Sequence, residues 1–143
     1  GNGVTAAAPA PTVKSGAASA ASEEVWMDNY EQALAEAKKQ NKPLFVDFTG
    51  FTCTNCRWME QNMFKKESVI SRMSGFVKVK LYTDRNQEPY LTNKKMQKAK
   101  YGSIELPLYV ILDPSGNLIG TKTFDRDENT FVNFMDKGLA SVK

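Results

Sequence analysis

Cys53 and Cys56 are the only cysteines in the chain, and two residues, Thr54 and Asn55, separate them. Thiols at that spacing can close a disulfide with one another and pass it to another pair. They follow the apolar run Leu44-Phe45-Val46-Asp47-Phe48 by a short turn, Thr49 to Cys53. They open a segment in which Cys56, Met59 and Met63 recur at the spacing of one helical face. A helix start presents free N–H groups and about half a positive charge. A thiolate at Cys53 is stabilised there, which makes it the attacking nucleophile. Cys56, one turn further in, resolves the mixed disulfide by attacking Cys53. Two other uses compete. A purely structural disulfide would close a very small loop and constrain little. Half of a Cu(I) or Zn site would need a partner chain to complete it, because only two thiolates are offered. On those grounds a redox-active dithiol is the stronger reading.

Other side chains fall around this motif. Asp47 sits in the middle of an apolar strand, where an acid is costly unless hydrogen-bonded, so its pKa should be raised. It is a candidate proton acceptor for the Cys56 thiol, the competing reading being an acid that faces a wet groove. Glu60 lies four residues after Cys56 on the same helical face and could tune the thiols, or be a solvated surface glutamate. Pro107 stands at the mouth of the strand Leu108 to Leu112. If its peptide bond is cis and faces the cysteines, Leu106 offers its backbone to an extended substrate chain; an ordinary trans proline is the commoner case. Phe51, in the turn, is the candidate partner-contact aromatic, whereas Trp58 reads as packing. Lys94, Lys95, Lys98 and Lys100 read as a solvated helix face, with an acidic partner patch as the alternative.

The elements that must hold these residues follow from pattern. A helix over 28–40, capped by Asp28 with Glu31 at the capping-box position, carries Tyr30, Leu34 and Ala37 on one face. Asn41-Lys42-Pro43 stops it. Then come the strand 44–48, a helix from about Thr54 to roughly Lys66, and an alternating strand 76–82. A basic helix over 91–100, a strand 108–112, the turn Asp113 to Asn117, a return strand 118–124 and a helix capped by Asp127 to about Gly138 complete the order α-β-α-β-α-β-β-α. This predicts an α/β fold with a central mixed β-sheet flanked by helices and closed by an antiparallel hairpin. Residues 1–22 differ: they hold eight alanines, three glycines, two prolines and one charged side chain, Lys14. Such a stretch cannot bury enough apolar area to offset its ordering entropy. It reads as a flexible linker or tail, partly an expression scar or a tether to something upstream, ahead of a domain over 23–143. The chain has 143 residues, 19 basic and 16 acidic side chains and a net charge of +3. With no basic stripe interleaved with aromatics, nucleic acid is not an expected partner. The absence of histidine excludes His triads, His general bases and His metal ligands, and two cysteines cannot make a four-thiolate zinc site. No apolar run approaches the roughly 20 residues of a membrane span, and no signal-peptide pattern is visible.

The stretches Lys42 to Gly50 and Cys53 to Glu60 resemble the thioredoxin superfamily. More closely, they are similar to the family of C-terminal periplasmic thioredoxin-like domains of DsbD, the membrane thiol:disulfide interchange protein. The resemblance covers about Trp26 to Leu139. It rests on the Asp-x5-Cys-x2-Cys-x3-Glu spacing, Leu106-Pro107, and Asp113-Pro114-Ser115-Gly116. It implies a thioredoxin-like fold with an extra N-terminal helix, and Cys53 as nucleophile with Cys56 resolving. Asp47 and Glu60 become the acid pair that tunes them, and Pro107 a cis-proline. It further implies a redox-active Cys53–Cys56 disulfide without other cofactor or metal, acting in the periplasm as a monomer. A membrane domain would donate electrons, and a periplasmic acceptor would carry them to isomerases and cytochrome c maturation factors. Residues 1–22 would be the linker to that membrane domain, with no insertion of this segment itself. The sequence departs from the pattern at Thr52, where thioredoxins carry tryptophan, and at Thr54-Asn55 between the cysteines. Lack of a histidine between them speaks against an extreme oxidant. A module that binds Cu(I) or a peptide without turnover is the competing class.

Overall fold

A computed structural model describes residues 25–143. The linker reading of 1–22 and the domain start at Glu23 lie outside them. Helix α1 (Tyr30–Gln40) leads into strand β1 (Leu44–Thr49), helix α2 (Thr54–Gln61), a 3-10 turn (Met63–Lys65) and helix α3 (Glu67–Met73). Strand β2 (Val77–Tyr82), helix α4 (Tyr90–Tyr101), strands β3 (Leu108–Leu112) and β4 (Leu118–Lys122), and helix α5 (Glu128–Ala140) follow. The sheet order is β2-β1-β3-β4, with β1 parallel to β2 and antiparallel to β3. The mixed sheet expected from the pattern is therefore present.

β1 is buried along its whole length, which is why it reads as a continuous apolar run rather than an alternating one. Its side chains still alternate between two cores. Leu44, Val46 and Phe48 pack with Ala33 and Ala37 of α1 and with partners on β2 and β3. Phe45 points to the opposite core, built from Met59 and Met63, Val69 and Met73 of α3, and Phe131, Phe134 and Met135 of α5. Asp47, two residues after Phe45, belongs to that second face, beneath α2. Register places it beside Lys80 on β2 and Tyr109 on β3, so one row across the sheet reads Lys80–Asp47–Tyr109.

Three elements differ from the sequence reading. The cap of α1 is Asn29, whose side chain accepts the Gln32 N–H at 2.9 Å, and not Asp28. Met27 is pinned to the edge of β2, its N–H on Lys78 O and its C=O on Lys80 N. The chain therefore stays extended through Asn29 before it can turn into a helix. The helix expected from Thr54 to Lys66 ends at Gln61, where Asn62 breaks the α geometry and its side chain bonds back to Trp58 O. The unexpected α3 then brings Val69 and Met73 onto the core. It is a short helix with two apolar anchors, too few to set a period.

Phe45 lies among Trp26, Phe76, Tyr109 and Phe131, with ring centroids 5.6–6.3 Å apart. Phe45→Ala should cost about 3–5 kcal/mol, read as a lower urea midpoint at unchanged m-value.

Candidate active site

β1 ends at Thr49 and α2 begins at Thr54, so four residues turn the chain through the site. Cys53 is the N-cap of α2, and its Sγ accepts the Cys56 N–H at 3.1 Å. The two cysteines form a disulfide with their Cα atoms 5.2 Å apart. Cys53 is half-buried, while Cys56 is buried under the helix. One sulfur is thus accessible to a partner and the other is not, the asymmetry that attack followed by resolution requires.

The turn is held from β2. Because β1 and β2 are parallel, their C-terminal ends lie side by side, and Asp84 just beyond β2 reaches the turn. Its carboxylate accepts the backbone N–H groups of Phe51 and Thr52 at 2.8 and 3.0 Å and the Thr52 hydroxyl at 3.0 Å. Partial burial pushes the Asp84 carboxyl up, but these hydrogen bonds win and hold it below its ordinary value. Gly50 is required by the same packing. A Cβ there would stand 2.6 Å from Asp84 Oδ2 and 3.0 Å from a Leu106 methyl.

Asp47 lies below α2 with its Oδ1 buried and without a hydrogen-bond partner. Burial raises its pKa to about 7, against Lys80, which lowers it; Glu60 adds to the rise and Arg57 opposes it. The carboxyl can therefore take or release a proton near neutral pH. Glu60 is not a solvated surface glutamate. Arg57 Nη2 donates to its Oε2 at 3.0 Å, Arg57 Nε pairs with Oε1 at 3.0 Å by charge alone, and Lys80 Nζ stands 3.9 Å away.

Leu106 and buried Pro107 approach the turn from the other side, and their peptide bond is cis. Gln97, fully buried on α4, donates to Glu105 O at 2.8 Å and so positions this loop. Phe51 is less free than a contact residue would be. It stacks on Tyr82 with centroids 4.0 Å apart, and the Arg85 guanidinium lies 4.1 Å from its ring centroid. Beside it runs a groove of about 350 Å³ walled by Trp26, Lys80, Tyr82 and Tyr90. Trp58 packs on Phe124, and Arg126 covers it. The four lysines of α4 are exposed.

Sequence reasoning thus named Cys53, Cys56, Asp47, Glu60, Leu106, Pro107 and Phe51, and the structure brings all of them to one end of the sheet. It missed Asp84, Arg57, Lys80 and Gln97. For Asp84 a signal existed: parallel neighbouring strands end on the same edge, so an acid two residues past the second lies level with the motif.

Residues 25–114 match the family model described as thioredoxin-like. The thiol:disulfide interchange protein DsbD of Campylobacter jejuni is 27% identical over 70 residues, 49% of this chain, and the match covers 12% of that protein. A solved structure named DsbH oxidoreductase superposes with a TM-score of 0.68 at 21% identity, covering 92% of this chain and 94% of that one. The C-terminal domain of Neisseria meningitidis DsbD in its oxidised form gives 0.62 at 15% identity, over 80% and 99% of the two chains. An accessible and a buried cysteine at a helix start, with an acid poised near neutrality below that helix, have the geometry that thiol:disulfide exchange requires.

The unpartnered buried carboxyl has a thermodynamic signature. With a folded pKa raised to about 7, the native state binds a proton that the unfolded chain has already lost, so stability falls as pH rises from about 4 to 7. Asp47→Asn should remove that slope. It should stabilise the protein by about 2–4 kcal/mol at pH 8 and by little at pH 4, as urea titrations at the two pH values would show.

Proposed function

The chain belongs to the thioredoxin-like family, and from that premise we propose that it works as a protein-disulfide reductase or electron relay. The observation that carries the reading is the Cys53–Cys56 disulfide at the start of α2, with Asp47 buried beneath that helix. In the dithiol form the Cys53 thiolate attacks one sulfur of a partner disulfide. A bond forms between the two sulfurs, the partner's S–S bond breaks, and its departing thiolate takes a proton. Cys56 then loses its proton to Asp47, directly or through water, and attacks Cys53. The mixed disulfide breaks, the second partner thiolate leaves and is protonated, and Cys53–Cys56 closes. Two electrons and two protons have passed to the partner. Glu60 tunes the site, and the Leu106–Pro107 backbone, with Phe51, receives the partner chain in extended form.

The direction rests on the thiolate's surroundings. Cys53 has the helix N-terminus and the Cys56 N–H to stabilise it, and no histidine, because the chain has none. That points to an ordinary reducing couple rather than a strong oxidant. Similarity to DsbD supports a periplasmic setting, a membrane domain as electron donor, periplasmic disulfide proteins as acceptors, and residues 1–22 as the tether between the domains. No helix among the described residues is long and apolar enough to cross a membrane. The disulfide is proposed to serve without metal or organic cofactor.

Equilibration with dithiothreitol redox buffers, read by thiol alkylation and mass, should give a potential of about −270 to −200 mV. A value near −120 mV would reverse the proposed direction, and failure to form the disulfide in any buffer would end the redox reading. Cys56→Ser should accumulate a mixed disulfide with a model partner, and Cys53→Ser should form none.

A further inference from the structure

Arg57 follows the second cysteine and moves no proton or electron in the exchange, yet its guanidinium ties together more of the site than any other side chain. Nη1 donates to Phe51 O at 3.3 Å, in the turn that leads to Cys53. Nη2 donates to Thr49 Oγ1 at 3.2 Å, at the end of the strand that carries Asp47. Nη2 donates to Glu60 Oε2 at 3.0 Å, and Nε stands 3.0 Å from Oε1 as an ion pair without hydrogen-bond geometry. The group is about one-third exposed and joins the turn and the end of β1 to Glu60. We propose that Arg57 is a positioning residue for the exchange: it fixes the turn before Cys53 to β1 and holds the Glu60 carboxylate neutralised above Asp47.

This role rests on the function proposed above and depends on charge and shape. Asp47 is faced by Lys80 and Tyr82 from β2, by Tyr109 from β3, and by Arg57 and Glu60 from α2. Tyr109 is held neutral by burial, and Asp47 and Glu60 push it the same way. The charged neighbours are then two cations and one carboxylate. Lys80 reaches Glu60 only at 3.9 Å, so Arg57 supplies most of its pairing. Without Arg57, Lys80 is left as the one cation opposing the Glu60 charge, and Asp47 holds its proton to higher pH. An acid that stays protonated cannot take the proton of Cys56. A lysine would restore a cation. It could not reach Phe51 in the turn, Thr49 on β1 and Glu60 on α2 at once, because that reach depends on the planar fork of the guanidinium.

Two measurements test this. In oxidised protein labelled at the aspartate carboxyl carbons, with the Asp47 signal assigned by its loss in Asp47→Asn, Arg57→Gln should move the Asp47 midpoint up by about one pH unit. Arg57→Lys should leave it near wild type. Arg57→Gln combined with Glu60→Gln should bring it back, because one lowering and one raising charge leave together. In the second, Cys53 is loaded as a mixed disulfide with glutathione, and the release of glutathione by Cys56 is timed by acid quench and mass. At pH 6, Arg57→Gln should slow release about tenfold, the loss of one pH unit of base ionisation, and Arg57→Lys should slow it about threefold. The inference is overturned if Arg57→Gln leaves the Asp47 midpoint in place, or if Arg57→Lys releases glutathione as fast as wild type. Should Arg57→Gln not fold, Arg57→Lys with and without Glu60→Gln carries the same comparison. If wild-type protein releases no glutathione, the exchange reading falls, while the Asp47 titration still judges Arg57.

Discussion

Asp47 is the one ionisable residue in a strand buried on both faces, and its charge there depends on what the neighbouring groups return for its lost hydration. Lys80 and Arg57 return part of it, Glu60 takes some back, and the balance leaves the carboxyl near its midpoint at neutral pH. Neither extreme would serve the exchange. A carboxyl fully paired with a cation would stay ionised and be a weak base. One in a purely apolar core would stay protonated. The sheet register fixes the balance, because the pairings of β1 with β2 and β3 put Lys80 and Tyr109 in the same row as the acid.

The same strand delivers the disulfide. Its two-sided burial fixes where it ends, its end fixes where α2 begins, and the first cap of that helix is a cysteine. Asp84 and Leu106 close on the turn from opposite sides and leave room for no side chain at Gly50. The redox pair is thus placed by packed backbone rather than by a free loop, which limits the geometries the sulfurs can sample.

Local chemistry was readable in the sequence, and long-range chemistry was not. The strand 108–112 coincides with β3, and the Asp127 cap of the last helix accepts the Thr130 N–H as its position suggested. The C-x-x-C at a helix start needed only its neighbours to be recognised. By contrast, Asp28 and Glu31 offered correct capping-box spacing, and the pairing of Met27 with β2 moved the cap to Asn29. Asn62 breaks a helix that the spacing of Met59 and Met63 alone would continue, since both methionines reach the core across the break. Arg57 and Lys80 look like surface cations until the fold shows a carboxylate between them. Gln97 looks like one more polar residue on a basic helix, and only the approach of the 103–107 loop shows why it is buried.

Met27 joins the chain ahead of the fold to the edge of β2 by two backbone hydrogen bonds, 2.8 and 2.9 Å long, running parallel to that strand. A pull on the segment preceding Val25 along the strand axis loads those bonds in shear. They lie beside Lys80, whose ammonium stands 4.9 Å from the centre of the Trp26 ring. Mechanical tension on the N-terminal side is therefore carried by Trp26 and Met27 both to the cation that Glu60 and Asp47 share and to the hydrophobic core.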